Sequence, residues 1–376
     1  HYLEPADSVP QVLAEELPPC SGLHSGPKSH LFRVSYFGST VSLEVSHMIS
    51  DGRGTLLFFQ AIIYAYIEAR YGVQGLLDED RDDADELSRQ TEDSFSANYE
   101  KDMAKGSHTR KILKLKGWKD QANPTYMVYH LPSDEVKAIA KGMGVSVTSL
   151  LVAAALKAIA SCASKKDASK TILLNIPVDL RQHYDSTTTR NFFGLATVRF
   201  PCANADLSLD YVASAVQVQI SYATELDILK MRMNQMVKLE KNPFLRIAPL
   251  FLKDLALDFG AWVADKKVTS TFSSMGRMDF DKTVSPYLKS VNVLTSTRGM
   301  NFVACTYGND LAIGISSIFV SNRIVKAFAD QFRDLGMEAW LDIDKEAKDV
   351  DRQLKQEELE DALLQKKGSK RQRKTR

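Results

Sequence analysis

Cysteine is scarce in this chain of 376 residues, and its four copies stand far apart. No two of them form a CxxC pair, so the spacing that marks zinc sites and disulfide frameworks is missing. Small, buried apolar side chains account for all four thiols. We therefore expect no bound metal and a reducing, cytoplasmic setting. The four residues are Cys20, Cys162, Cys202 and Cys305.

Long hydrophobic runs are lacking as well. The most apolar stretch, residues 150–163, is interrupted by Lys157 and is too short to cross a bilayer. We therefore expect no membrane span. The sequence begins with His1 rather than Met, so the absence of a leading signal carries little weight.

The chain also lacks an excess of charge of either sign, since its formal net charge is only +1. Residues 366–376 contain seven Lys or Arg and no acid, and subtracting these seven from +1 leaves −6 on the rest. This mild acidity argues against a nucleic-acid groove, so no nucleic-acid partner is predicted. The basic end could still contact RNA or anionic lipid; a solvated, disordered end is the alternative.

The segments that remain alternate between strand and helix patterns, which predicts a mixed α/β architecture. The length exceeds what one hydrophobic core comfortably supports, so we expect two lobes. We predict an N-terminal lobe over residues 1–125, a C-terminal lobe over 126–342 and a charged, disordered tail over 343–376, in a monomeric protein. Later patterns predict helices over 243–265 and 327–340 and a strand over 290–294.

The strongest local candidate for chemistry is His47, followed by Asp51 and Gly52. Alternating runs over 31–37 and 41–47 predict a hairpin, and His47 ends the second run on its apolar face. An imidazole titrates near neutrality and can serve as a general base, while the carboxylate could stiffen the loop. Alternatively, His47 is a core histidine with one satisfied nitrogen and Asp51 is a turn residue.

Three further segments follow in a fixed order: Pro-Val-Asp-Leu-Arg ending at Arg181, Asn-Phe-Phe-Gly from Asn191, and Ser-Ser-Met-Gly from Ser273. Together with the His47 segment they resemble the HxxxDG acyltransferases, which share the chloramphenicol acetyltransferase-like fold. The alcohol acetyltransferase branch looks nearest, and peptide-synthetase condensation domains are more distant. The resemblance covers about residues 1–342.

The resemblance implies a two-lobed fold with a tunnel between the lobes and His47 as the catalytic base. Asp51 would be structural, facing away from substrate and paired with Arg181; an exposed Arg181 on a loop is the alternative. Gly52 would allow a tight corner. Ser273 or Ser274 could donate a hydrogen bond to the developing oxyanion, an interaction typically worth ~3 kcal/mol, or could merely satisfy a strand end.

The implied activity is transfer of an acyl group, acetyl in the first instance, from a CoA thioester to a small alcohol or amine. Acyl-CoA would be a co-substrate, with no bound cofactor. The alternatives are a condensation-domain-like enzyme with a carrier-bound donor, and a non-catalytic fragment or binding protein of the same fold.

Three departures from the family pattern stand out. Ser46 occupies the place of a second histidine, and Ser-Ser-Met-Gly replaces the frequent Ser-Asn-Leu-Gly. The family helix and strand that would precede the segment resembling residues 1–5 are missing from this sequence. We therefore expect an N-terminal lobe without its first helix and strand.

Overall fold

The computed structural model describes residues 11–17, 19–20, 23, 30–76, 88–98, 111–240 and 267–343. Within them the expected mixed α/β class is confirmed, since strands form a three-stranded and a seven-stranded sheet and helices pack on the larger one. The strands are β1 (Leu13–Ala14), β2 (Phe32–Phe37), β3 (Thr40–Val45), β4 (Thr125–Pro132), β5 (Thr171–Asp179), β6 (Phe193–Pro201), β7 (Ser270–Arg277), β8 (Met300–Tyr307), β9 (Asp310–Ser317) and β10 (Trp340–Ile343). The helices are α1 (Gly52–Tyr71), α2 (Ser94–Ala97), α3 (Ser133–Gly142), α4 (Val147–Ser161), α5 (Arg181–Tyr184), α6 (Leu209–Ala223), α7 (Leu226–Glu240) and α8 (Arg323–Arg333).

The smaller sheet carries the segment that leads to His47. β1 pairs parallel with β2, and β2 pairs antiparallel with β3 over its whole length. Gly38 makes the intervening turn at a φ of +55°, a left-handed backbone that glycine adopts without strain. Strand β3 ends at Val45, so the strand predicted over 41–47 is two residues too long and His47 lies in the turn that follows.

The larger sheet has the strand order β10–β4–β9–β8–β7–β5–β6. β7 is parallel to both of its neighbours, and the other pairs are antiparallel. β5 and β6 form an antiparallel pair at one edge, so the residues that connect them are gathered at one end of that pair. Arg181 and Asn191 both lie in this connection, residues 180–192.

Helix α4 lies in the middle of the hydrophobic core. Ser146 caps its start, because the Oγ atom accepts a hydrogen bond from the amide of Ser149 at 3.1 Å. Nearly every side chain over 150–160 is buried, as in a helix that is packed on all sides. Lys157, which interrupts the apolar run, donates from Nζ to backbone carbonyls, including that of Ala205 at 3.1 Å.

Residues 111–120 run beside the larger sheet, ahead of the lobe boundary predicted at 125. Ile112 forms a bridge with Thr171, and Lys119 forms one with Phe319. Leu113 is buried in the same core as α4. This segment therefore joins the larger sheet before β4 begins.

The strand predicted over 290–294 is absent. Val291 is buried, and the carbonyl oxygen of Val293 packs so closely on Gly314 that a side chain there would overlap it. The segment lies across the face of β9 instead of extending the sheet. The prediction was wrong because apolar alternation reports a buried face and does not by itself report strand pairing.

The C-terminal part of the described chain also differs from expectation. The helix predicted over 327–340 is wrong in its second half, since α8 ends at Arg333 and Gly336 turns the chain at a φ of +78°. Trp340 then opens β10, antiparallel to β4. The helix predicted over 243–265 and the tail from 344 onward lie outside the described residues.

Strand β10 contacts His130 of β4 through the ring of Trp340 and the carboxylate of Asp342. The rings of His130 and Trp340 are stacked, with centroids 4.9 Å apart and planes 3° from parallel. The buried imidazole lies between two carboxylates, with Nδ1 2.9 Å from Asp310 Oδ1 and Nε2 3.3 Å from Asp342 Oδ2. Burial lowers the pKa of His130, but the hydrogen bond and charge of Asp310, together with Asp342, outweigh it and leave the pKa raised.

Candidate active site

His47 follows β3 in an irregular turn, and its side chain is exposed. Two residues contact it, one just before β6 and one at the first position of that strand. The backbone carbonyl of His47 accepts a hydrogen bond from Asn191 Nδ2 at 2.9 Å. The imidazole meets the ring of Phe193 edge to face, with centroids 5.8 Å apart. The main chain of His47 is therefore held while its ring reaches open space.

Asp51 begins helix α1. Its Oδ1 accepts hydrogen bonds from the amides of Arg53 and Gly54, both at 3.1 Å, so the carboxylate satisfies two of the donors that a helix start leaves free. The residue is only 6% exposed. A negative charge at the N-terminal end of a helix also interacts favourably with the helix dipole.

The same carboxylate is paired with Arg181, which lies 130 residues further along the chain. Arg181 Nη2 is 3.1 Å from Oδ1 and 2.9 Å from Oδ2, and the amide of Phe192 donates to Oδ2 at 2.8 Å. The side chains of Asp51 and Arg181 are 8% and 9% exposed. The structure thus brings these two predicted residues together, buried and directly hydrogen-bonded.

Arg181 also binds the chain around it. Its Nη1 donates to Asp179 Oδ1 at 2.9 Å, which makes a second ion pair. The remaining hydrogen bonds go to backbone carbonyls, those of Thr188 at 2.6 Å, Arg190 at 2.5 Å and Phe192 at 3.4 Å. All three guanidinium nitrogens are used, so the side chain fixes the connection between β5 and β6 as well as Asp51.

This connection reaches a third part of the chain. Thr188 Oγ1 donates to the carbonyl of Glu92 at 2.8 Å, and the amide of Thr189 donates to that of Gln90 at 2.7 Å. Ser50 Oγ in turn donates to the carbonyl of Thr189 at 2.7 Å. The connection is therefore bound to the loop that follows β3 and to residues 88–94.

Two glycines lie in the first turn of α1, directly after the loop that carries His47, and both are in close contact with other parts of the chain. A side chain on Gly52 would meet the end of Met275, at 2.8 Å from Sδ, so close packing rather than backbone conformation accounts for the glycine. Gly54 is more constrained, because a side chain there would overlap the backbone carbonyl of Thr189. The sequence predicts a tight corner over residues 51–54, and this was wrong, because both glycines lie in the first turn of α1 and Gly54 is required by its close contact instead.

Ser273 and Ser274 face opposite sides of the sheet. Ser274 Oγ accepts a hydrogen bond from Thr148 Oγ1 of helix α4 at 3.1 Å. Ser273 is paired with Val303, which lies two residues before Cys305 on the face that α1 covers. A bulge follows between Ser274 and Gly276. Only Ser273 therefore shares a sheet face with the helix that starts beside His47.

A cavity of about 180 Å³ lies where α3 and α4 begin, against β7 and β8. Its lining includes Ser133, Lys137, Thr148, Ser274, Arg277 and Cys305, and His47 is not among the lining residues. The Cys305 thiol itself points to the opposite sheet face, where it is buried and donates to the carbonyl of Val291 at 3.4 Å, and this burial raises its pKa to about 12. Lys137 and Arg277 are exposed at the edge of the cavity, and Arg277 is paired there with Asp279 at 2.9 Å.

Within the described ranges, no three His, Cys, Asp or Glu side chains come together as a metal site would require. Among those same residues, no single helix has the length and hydrophobicity to cross a membrane; α3 and α4 meet that test only as a pair bent by 88°.

No protein-family model and no curated protein matches this sequence, but solved structures do. The fold is similar to that of solved acetyltransferases and of a peptide synthetase, which confirms the fold expected from the sequence motifs. One is F. graminearum TRI101 in complex with coenzyme A and T-2 mycotoxin, which is 12% identical in sequence and superimposes with a TM-score of 0.55. The matched region covers 85% of this chain and 72% of the TRI101 chain.

Two further structures agree. TRI3, a trichothecene 15-O-acetyltransferase from Fusarium sporotrichioides, is 14% identical with a TM-score of 0.50, covering 81% of this chain and 69% of its own. FmoA3, a nonribosomal peptide synthetase, is 16% identical with a TM-score of 0.55, and 89% of this chain spans 36% of it. At these identities the similarity establishes the fold alone.

Proposed function

We propose that this protein is an acyltransferase in which His47 is the general base. The acyl group, acetyl in the first instance, would pass from acyl-CoA to a small alcohol or amine. The observation that carries the proposal is an exposed imidazole whose main chain is held by Asn191, four residues before a carboxylate buried against Arg181. A histidine in that setting can reach substrate and accept a proton while its loop stays fixed.

The proposed reaction needs no covalent enzyme intermediate. His47 removes the proton from the acceptor hydroxyl or amine as that atom attacks the thioester carbonyl. When the carbonyl re-forms, the carbon–sulfur bond breaks and the imidazolium returns the proton to the departing thiolate. Ser273 or Ser274 is proposed to donate to the oxyanion. Ser273 lies on the sheet face shared with α1, whereas the hydroxyl of Ser274 lines the cavity, accepts from Thr148 and keeps its own proton free to donate.

The donor is proposed to use the cavity beside α3 and α4, at one end of a tunnel between the lobes. CoA carries several phosphate groups, and two cationic side chains lie at the rim, Lys137 and Arg277, the second of which would exchange its pairing with Asp279 for a phosphate. The acceptor would then reach His47 from the other side. Bringing the two substrates together in this way supplies much of the rate enhancement expected of such an enzyme.

The test measures thiol release from acetyl-CoA with panels of short alcohols and amines. His47→Ala is expected to lower kcat by about a hundredfold or more, in line with the loss of a general base. His183→Ala, which removes an exposed imidazole two residues after Arg181, is the matched control and should remain active. Equal turnover in wild type and His47→Ala would overturn the proposal.

The same assay addresses the two alternatives. Parallel reactions with the acyl group on CoA and on a phosphopantetheinylated carrier protein distinguish a free from a carrier-bound donor. An active carrier arm with an inactive CoA arm would favour the condensation-like enzyme. No turnover with either donor, in a folded protein, would favour a binding protein of the same fold.

A further inference from the structure

Three consecutive residues at the entry to β6 touch the loop from His47 to Asp51. Asn191 Nδ2 donates to the carbonyl of His47 at 2.9 Å, and the amide of Phe192 donates to Asp51 Oδ2 at 2.8 Å. The ring of Phe193 contacts the imidazole edge to face. The first contact acts on the peptide that bears the base, the second on its loop and the third on its ring.

The orientation of the Asn191 side-chain amide leaves one of its polar atoms without a hydrogen bond. Within the described part of the chain, no donor hydrogen-bonds to its Oδ1 atom, although that atom is buried. Exchanging the two ends of the amide would set Oδ1 against the carbonyl oxygen of His47, and two acceptors at that distance repel. The side chain therefore keeps its bond to His47 and leaves a buried acceptor unsatisfied, an arrangement that stability alone disfavours.

We infer that Asn191 is a positioning residue for the base, an inference that rests on the proposed role of His47. Its amide fixes the peptide unit from which the imidazole projects, and Phe193 restricts where the ring can turn. Neither side chain takes part in proton transfer. The effect is to hold the imidazole near one direction before substrate arrives, so that little reorientation is needed during attack.

The expected signature separates positioning from stability. Asn191→Ala should lower kcat about tenfold with little change in KM for donor or acceptor, as expected when a reacting group is displaced. The melting temperature of Asn191→Ala should stay close to that of wild type, because the substitution removes the unsatisfied Oδ1 acceptor together with the hydrogen bond to His47. A merely structural residue would lower the melting temperature and spare kcat per folded molecule.

A second variant gives a readout that does not depend on folding. Asn191→Asp is almost isosteric but sets an acceptor against the carbonyl oxygen of His47, so the hydrogen bond is lost and a negative charge stands beside the loop of the base, which favours the imidazolium form. The acidic limb of the kcat–pH profile should therefore move to higher pH. Asn301→Ala removes a side-chain amide that also donates to a backbone carbonyl, that of Ser296 at 3.4 Å, and is the matched control with an unchanged profile.

The outcomes are distinguishable from those of the proposed function. If His47→Ala is as active as wild type, the base assignment fails. If His47→Ala is inactive while both Asn191 variants keep the wild-type kcat and pH profile, the positioning role alone is overturned. A lower melting temperature in Asn191→Ala with kcat per folded molecule unchanged would likewise overturn it.

Discussion

Replacing Asp51 by alanine removes a carboxylate that accepts hydrogen bonds from three backbone amides and from Arg181. Loss of a helix cap alone costs about 0.5–2 kcal/mol. Removing one partner of a buried ion pair typically costs about 3–5 kcal/mol, because the other charge stays buried. Arg181 retains Asp179 at 2.9 Å, which offsets part of that cost. We therefore expect Asp51→Ala to lower the free energy of unfolding by about 3–4 kcal/mol, a large share of the ~5–15 kcal/mol of a typical domain.

The assay is urea unfolding at neutral pH followed by circular dichroism. Asp51→Asn keeps an oxygen for the α1 cap but removes the charge, so its loss should be smaller than that of Asp51→Ala. The exposed pair of Asp279 and Arg277 is the control, and Asp279→Ala should change stability little, since exposed ion pairs contribute little. If Asp51→Ala costs no more than Asp279→Ala, the reasoning about the buried pair is refuted.

Two further predictions concern packing and pH. Gly54→Ala should lower the free energy of unfolding by roughly 1–3 kcal/mol, because the new methyl group meets the rigid carbonyl of Thr189. Gly52→Ala is the control, since its methyl group meets only the movable end of Met275. Equal melting temperatures for the two variants would contradict this prediction. The raised pKa of folded His130 means that its contribution to stability is full below its unfolded pKa of about 6.5 and is lost as pH rises through the folded value. The stability gap between wild type and His130→Gln, from urea unfolding, should therefore shrink as pH rises above about 6.5, and a constant gap would contradict the assigned environment.

Short-range patterns predicted the elements around His47 well. The hairpin of β2 and β3 follows from alternation on both sides of Gly38, and only the end of its second strand was predicted two residues too late. Such signals act over a few residues, where backbone geometry sets the period. The contact between Asp51 and Arg181 has no such signal, since 130 residues separate them and only the family resemblance suggested the pair.

The errors arose where long-range contacts decide local structure. Trp340 begins a four-residue strand because β4 offers an edge and His130 offers a stacking surface, and neither is visible in the local sequence. Residues 290–294 alternate as a strand would, yet they cover the face of β9. The constraint on Gly54 likewise comes from a carbonyl 135 positions away in the sequence.

The connection between β5 and β6 has a consequence for how the protein folds. Its hydrogen bonds to the loop after β3 span 130 to 144 residues, and those to the segment before α2 span about a hundred. Closing such long loops is slow, because chain entropy is lost before the contacts form. During synthesis, the loop that carries His47 emerges well before Arg181 and Asn191 exist to hold it. The site is therefore assembled late, and a chain stopped short of β6 would carry the motif without the contacts that order it.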